Sequence, residues 1–231
     1  MISVRYGPLL PALVLLGLTC RPVPAGTITG TVSAKAPEPP APDGPSGSDP
    51  YASRRYKFVE RIDYDKLTDF VVNIEGSVVA PPKPTTATIV QRDATFSPHV
   101  LPIVYGTTVR WPNEDDIYHN VFSMTDAETF DLGFYKKTAE PPTTYFGKLG
   151  RVDVFCAIHT NMHCIILVLP NPYFAMADAK RRYVIKDVPA GSYRIRAWHE
   201  RVPGQVKDVV VTTTGVTQVD FTLGVAELPK P

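Results

Sequence analysis

The shortness of its apolar runs constrains this chain more than any other feature. Short runs rich in Val, Ile, Thr, Tyr and Phe recur along it, and Pro, Gly, Asn or Asp separates each run from the next. No segment keeps a helical spacing of apolar residues over several turns, although residues 51–69 could hold a short helix. The pattern therefore predicts an all-β fold. The predicted strands are 27–32, 70–75, 86–92, 100–104, 107–111, 120–123, 151–156, 165–169, 182–186, 191–198, 206–212 and 217–223.

Proline-rich breaks divide the strand pattern. Residues 34–50 hold six prolines in 17 residues and cannot bury a core, so we expect an extended insertion there. Further breaks at 81–84 and 170–172 bracket a segment long enough for one small β-sandwich. The sequence predicts a signal peptide at residues 1–25, N-terminal strands with the insertion at 26–82, a central domain at 83–172 and C-terminal strands at 173–231.

The first 25 residues have the sequence features of a secretory signal peptide. Arg5 gives a positive start, residues 9–18 are largely apolar, and small residues end at Ala25, after which we expect cleavage. Lipidation at Cys20 is the alternative. The apolar run is short for a membrane span, and no later segment predicts one. The expected location is periplasmic or secreted.

Charge gives no sign of a nucleic-acid partner. Removing residues 1–25 takes away two arginines and no acidic residue, which leaves 22 basic and 23 acidic residues. A nucleic-acid interface needs a basic stripe or face, and the sequence shows none.

Four residues near the middle of the chain suggest a metal site: His119, Cys156, His159 and Met162. One thiolate, two imidazoles and a weak thioether are the ligand set of a mononuclear blue (type 1) copper site. A tight loop after a valine-rich strand can supply the last three ligands, and His119 stands at the start of another strand. We predict that these four residues bind one copper ion.

Other roles for these and nearby residues stay open. Cys156 and Cys164 remain after cleavage, and two cysteines in an oxidising compartment normally suggest a disulfide. His163 could replace its neighbour as the axial ligand. We expect His99 in an exposed loop. His199 could bind metal or contact the copper-binding segment, but we expect it to cap a strand end.

The central segment resembles the cupredoxins, the blue-copper family that includes amicyanin and plastocyanin. The resemblance implies a Greek-key β-sandwich, and the Cys-x-x-His-x-x-Met spacing is that of amicyanin. Ala157 stands where many relatives have Ser or Thr, and Ile158 and Thr160 stand where a proline is common. These departures concern groups that tune the metal more than they decide its binding. The matching positions are Phe96 and Pro98, Gly106, Val109 and Trp111, His119 and Asn120, Phe155, Cys156, His159 and Met162.

The flanking strands resemble a second family, the carboxypeptidase-regulatory or transthyretin-like β-sandwich. The resemblance rests on an opening Gly-x-Val strand, at Gly30 and Val32, and on the turn from Val188 to Tyr193. It implies that the cupredoxin-like segment is inserted into a second, discontinuous sandwich. Two independent domains in series are the alternative.

The cupredoxin resemblance implies one-electron transfer to or from a transient redox partner, such as a dehydrogenase, cytochrome or oxidase. A copper oxidase or nitrite reductase would connect further coppers through histidines beside the ligand cysteine. Phe155 and Ala157 occupy those positions, so we expect no enzymatic activity. A copper-sequestering or adhesive protein is the remaining alternative. The oligomeric state is not predicted.

Overall fold

The computed structural model describes residues 25–36, 62–78, 85–137 and 140–224. Within these residues the secondary structure consists of strands and one 3-10 helix, Tyr64–Lys66, so the prediction of an all-β fold is confirmed. The predicted signal peptide lies outside the described residues except for Ala25, which begins the first strand. Most of the proline-rich insertion also lies outside them, but Ala34, its predicted first residue, is the buried end of that strand. No helix in the described ranges is long and apolar enough to cross a membrane.

Strands from the middle of the chain surround one apolar core. A five-stranded sheet has the order β6-β12-β11-β8-β9, a three-stranded sheet the order β10-β7-β3, and β4 pairs with β5. Trp111 and Phe146 are fully buried between them. The strands are β3 (Thr86–Thr88), β4 (Val90–Arg92), β5 (Thr95–Ser97), β6 (Val100–Val104), β7 (Thr107–Arg110), β8 (His119–Thr125), β9 (Glu128–Tyr135), β10 (Thr143–Phe146), β11 (Gly150–Phe155) and β12 (His163–Leu169).

Strands before and after this segment share two further sheets. In one sheet β1 pairs with β14, β17 and β18, and in the other the order is β13-β2-β15-β16. Ile28, Val72 and Tyr183 lie in the core that these strands bury. The strands are β1 (Ala25–Ala34), β2 (Val71–Ile74), β13 (Phe174–Met176), β14 (Arg182–Pro189), β15 (Gly191–His199), β16 (Val202–Val211), β17 (Val216–Gln218) and β18 (Phe221–Leu223).

A small apolar cluster joins the two sets of sheets, and we call it the junction cluster. It consists of the buried residues Val71, Val100, Ile165 and Leu167, with Trp198 packed against them. Because these residues come from strands on both sides, the cluster ties the central segment to the flanking sheets. The domain boundaries and the likeness to the carboxypeptidase-regulatory family stay predictions.

The sequence analysis missed four strands, β5, β9, β10 and β13. Strand β9 alternates Phe130, Leu132 and Phe134 with other residues, a period-two pattern that the prediction overlooked, and β5, β10 and β13 are only three or four residues long. The predicted strand 86–92 is two strands in the structure, because β3 pairs with β7 whereas β4 pairs with β5. Likewise, the predicted strand 217–223 is divided into β17 and β18.

Candidate metal centre

The alternation of strand β11 carries the cysteine into the core. Val152 and Val154 are buried in the central segment, and their neighbours point away from it. Successive side chains of a strand point to opposite faces, so every second residue shares a face. Cys156 comes two residues after Val154 and is only 6% exposed. Its thiol therefore continues the buried face of the strand.

The same alternation separates Met162 from His163. Met162 and Cys164 lie in the buried cluster that holds Cys156, whereas Ile165 lies in the junction cluster. His163 shares the face of Ile165 and stacks on Phe155, with 4.8 Å between the ring centroids. The structure therefore brings Met162, rather than His163, to the side of the chain where Cys156 lies.

Two backbone hydrogen bonds close the loop between β11 and β12. The Cys156 N–H donates to the Met162 carbonyl at 3.2 Å, and the Met162 N–H donates to the His159 carbonyl at 2.9 Å. These bonds bring the ends of a very short loop together, although neither residue 158 nor residue 160 is a proline. The imidazole of His159 lies beside the thiol, with 3.7 Å between His159 Nδ1 and Cys156 Sγ.

His119 completes a group of three possible metal ligands. It is the first residue of β8 and is fully buried, and its Nδ1 lies 3.0 Å from His159 Nδ1. One ligand atom from each of His119, Cys156 and His159 lies within 4.8 Å of the others, an arrangement that could hold a metal ion. Of the four predicted ligands, the structure thus gathers three, and the fourth, Met162, lies in the same buried cluster as Cys156.

A carboxylate fixes the orientation of the His119 ring. His119 Nε2 lies 2.7 Å from Asp115 Oδ2, close enough for the N–H to donate to the carboxylate. If the ring proton is on Nε2, the Nδ1 atom keeps a free lone pair on the side where His159 and Cys156 lie. Histidine ligands of metal ions are commonly oriented by such a carboxylate.

Asp115 is itself held by the turn between β4 and β5. The N–H groups of Asp93 and Ala94 donate to its two carboxylate oxygens at 2.9 and 3.0 Å. Both residues have a left-handed backbone, with φ of 53° and 50°, as a tight hairpin turn requires. Desolvation raises the pKa of Asp115, but the hydrogen bonds from Ala94 and His119 outweigh it, and the pKa lies below its ordinary value. Asp115 therefore stays an anion that accepts from His119.

The structure also explains how the site tolerates alanine after the cysteine. The backbone N–H of Ala157 donates to Asn120 Oδ1 at 2.8 Å, so the link between the loop and the residue beside His119 needs no hydroxyl. Asn120 in turn donates to Asp131 Oδ1 at 2.7 Å. The two departures from the cupredoxin pattern are thus accommodated by main-chain hydrogen bonds.

The cysteines are not joined by a disulfide. Cys156 and Cys164 are both free and buried, and the residue opposite Cys164 across the β11–β12 pair is Val154. Burial raises the pKa of the Cys164 thiol far above its usual range. A buried, protonated thiol is a poor nucleophile, which explains how a second cysteine can lie near the metal ligands.

The remaining histidines lie elsewhere. His99 was expected in an exposed loop, but both of its ring nitrogens have hydrogen-bond partners and its side chain is only 37% exposed. His199 is the last residue of β15 and is 5% exposed, and its Nδ1 accepts from the Arg201 N–H. No local sequence pattern indicates the position of His99, because its contact is with Glu200, which is distant in sequence.

The donor chemistry of the centre suits copper. A buried thiolate and two imidazoles are the strong ligands of blue-copper sites, and a thioether is their weak axial ligand. The side chains that the structure gathers are of these types, and burial keeps water away from the thiol and from His119. The residues therefore fit a copper ion.

Comparisons with known proteins match part of this chain to solved structures. A purple cupredoxin from Nitrosopumilus maritimus is 24% identical, with a TM-score of 0.32, and the match covers 36% of this chain and 98% of that one. A copper-containing nitrite reductase from Thermus scotoductus SA-01 is 29% identical, with a TM-score of 0.35, over 42% of this chain and 25% of that one. A variant of amicyanin with Cu(I) is 20% identical, with a TM-score of 0.33, over 36% of this chain and 81% of that one.

No family model matches the chain, and no curated protein matches it. The solved structures match only part of this chain, at low TM-scores, and no argument for a bound metal ion is taken from them. The case for a metal at this centre comes from its donor atoms and the hydrogen bonds around them.

Proposed function

We propose that this protein is an electron-transfer protein with one type 1 copper ion bound by His119, Cys156, His159 and Met162. The observation that carries the proposal is the convergence of His119 Nδ1, His159 Nδ1 and Cys156 Sγ, with the His119 ring oriented by Asp115. A bound copper ion would supply a one-electron couple.

The residues around the centre hold the ligands in place. Asp115 fixes His119 from one side, and Asn120 holds the loop at Ala157 from the other. The core behind the ligands is closely packed with Val121 and Val154. Ligands held in this way rearrange little between oxidation states, which favours rapid electron exchange over storage of the ion. That rigidity supports electron transfer rather than sequestration.

Exposed apolar side chains adjoin the two ligand histidines in sequence. His159 is the ligand histidine that is not fully buried, and Ile158 beside it is 51% exposed. Ile117 and Tyr118, which precede His119, are also exposed. Exposed apolar groups of this kind mark interaction surfaces, and redox encounters use small and transient ones. We therefore propose that a dehydrogenase, cytochrome or oxidase docks here, close to His159.

The proposed location is the periplasm or the exterior of the cell. It rests on the predicted signal peptide, which lies outside the described residues. An oxidising compartment agrees with a protein that keeps its second cysteine buried and protonated.

Electron self-exchange tests the docking surface without knowledge of the partner. The variant Ile158→Lys places a charge beside His159, so two copies repel each other when these surfaces meet. We expect the self-exchange rate in a mixture of reduced and oxidised protein to fall about tenfold at low ionic strength. Line broadening in NMR spectra of such mixtures measures the rate.

The matched control is Val216→Lys, which adds the same charge at an exposed position of the flanking sheets. It should leave the rate within about twofold of the wild type, and both variants should keep the visible spectrum. Equal rates in the wild type and Ile158→Lys would contradict docking at His159. Copper binding without measurable self-exchange in the wild type would favour the sequestering alternative.

A further inference from the structure

A second group of possible metal ligands lies on the other face of β12, away from the copper centre. It consists of His99, His163 and Glu200, of which one ligand atom each lies within 4.8 Å of the others. His99 precedes β6 and His163 begins β12, whereas Glu200 lies in the turn between β15 and β16. The group thus draws on the central segment and on the flanking sheets.

The alternation of β12 explains why His163 faces this group. His163, Ile165 and Leu167 share one face of the strand, and the last two belong to the junction cluster. His163 is therefore directed toward the flanking sheets, where the turn after β15 presents Glu200. The central segment and the flanking sheets are therefore in contact through this polar group as well as through the apolar side chains of the junction cluster.

Hydrogen bonds prepare both imidazoles as ligands. His163 Nε2 lies 3.0 Å from Asp153 Oδ1, so an N–H there donates to the carboxylate and leaves Nδ1 with a free lone pair. His99 Nδ1 lies 3.1 Å from the His163 carbonyl, so its N–H donates there and leaves Nε2 free. A histidine whose second nitrogen donates to a carboxylate or a carbonyl is the usual form of a metal ligand.

The carboxylate completes the group. Glu200 Oε1 lies 3.1 Å from His99 Nε2, the atom that the other hydrogen bond leaves free. An unprotonated nitrogen and a carboxylate at this distance repel each other unless a cation or a proton lies between them. The Glu200 side chain is 23% exposed and that of His163 is 26% exposed, so an ion can reach the group from solvent.

We propose that His99, His163 and Glu200 bind a divalent transition-metal ion, with Zn²⁺ as the probe, and that this ion links the central segment to the flanking sheets. Two imidazoles and one carboxylate are a known zinc ligand set in which water takes the fourth position. The neighbouring groups on the same surface are Asp153 and Arg151, whose guanidinium donates to Asp153. The site is distinct from the thiolate centre in ligands and in the face of β12 that it uses.

The test uses the full chain with Cys156→Ser, so that the first centre lacks its thiolate. We expect one Zn²⁺ per chain after dialysis, and a higher unfolding temperature with zinc, because the ion binds the folded arrangement. Loss of an outer hydrogen-bond partner of a ligand weakens metal binding by about 10–100-fold. Adding His99→Ala or Glu200→Gln removes a ligand itself and should weaken zinc binding by more than that. Adding Asp208→Asn, an exposed acidic residue of β16, should leave it unchanged.

Glu200→Gln keeps the size of the side chain, and unfolding without zinc shows whether each variant is folded. Zinc affinity that is the same with and without His99→Ala and Glu200→Gln would overturn the proposal. Absence of bound zinc in the Cys156→Ser chain would overturn it as well, because only a proton would then lie between His99 and Glu200.

Discussion

Cys156→Ser is expected to remove the intense visible absorption of the copper-loaded protein, whereas Cys164→Ser is expected to preserve it. The band of a blue-copper site arises from the bond between copper and a thiolate, and a serine hydroxyl cannot supply it. Both cysteines are buried and free, but only Cys156 lies within ligand distance of His119 and His159. The measurement is the visible spectrum of each variant after one equivalent of Cu²⁺.

The pair of variants also tests the disulfide alternative. If the thiols of the purified protein were oxidised to each other, thiol titration of the wild type would detect neither, and each single variant would expose one new free thiol. We expect two titratable thiols, Cys156 and Cys164, in the unfolded, metal-free protein that lacks residues 1–25. If each single variant, Cys164→Ser as well as Cys156→Ser, lost the band, the ligand assignment would be contradicted.

Asp115→Asn is expected to weaken copper binding by about 10–100-fold, the usual cost of removing the outer partner of a ligand histidine. Asparagine is neutral and can present its amide N–H groups to His119 Nε2, which would favour the wrong ring tautomer. When the amide nitrogen faces His119 in place of Oδ2, the amide oxygen keeps the bond from the Asp93 N–H, whereas the bond from the Ala94 N–H is lost. A thermal unfolding curve of the variant shows whether the turn remains folded. Competition with a chelator of known affinity measures the change.

Asp116→Asn is the matched control, because Asp116 is the next residue, carries the same charge and is exposed. It should leave the affinity for copper within about twofold, since the charge of an exposed residue is screened. Equal losses in the two variants would show that the effect of Asp115→Asn is a general charge effect and not the orientation of His119.

The sequence contains most of the information that places the thiolate and the axial ligand. The alternation of β11 predicts that Cys156 follows Val154 into the core, and the alternation of β12 groups Met162 with Cys164. The same alternation would have predicted that His163 faces away from Met162. The directions in which these side chains point could therefore be predicted from the sequence, because successive side chains of a strand point to opposite faces.

The groups that support the ligands could not be predicted in the same way. Asp115 is one of several acidic residues in a polar turn, and only the position of the β4–β5 turn singles it out. Similarly, His99 and Glu200 are 101 residues apart and meet because the flanking sheets pack against β6 and β12. Such contacts depend on the packing of sheets, which local patterns in the sequence do not encode.

The proposed copper ion is bound by His119, Cys156, His159 and Met162 and exchanges electrons. The most direct test is the visible spectrum of the full chain after the addition of one equivalent of Cu²⁺, followed by reduction and reoxidation. We expect one intense thiolate-to-copper band that saturates at one copper per chain, disappears on reduction and returns on reoxidation. Copper binding without such a band, or no binding while Cys156 and Cys164 are both free thiols, would contradict the proposed ligand set.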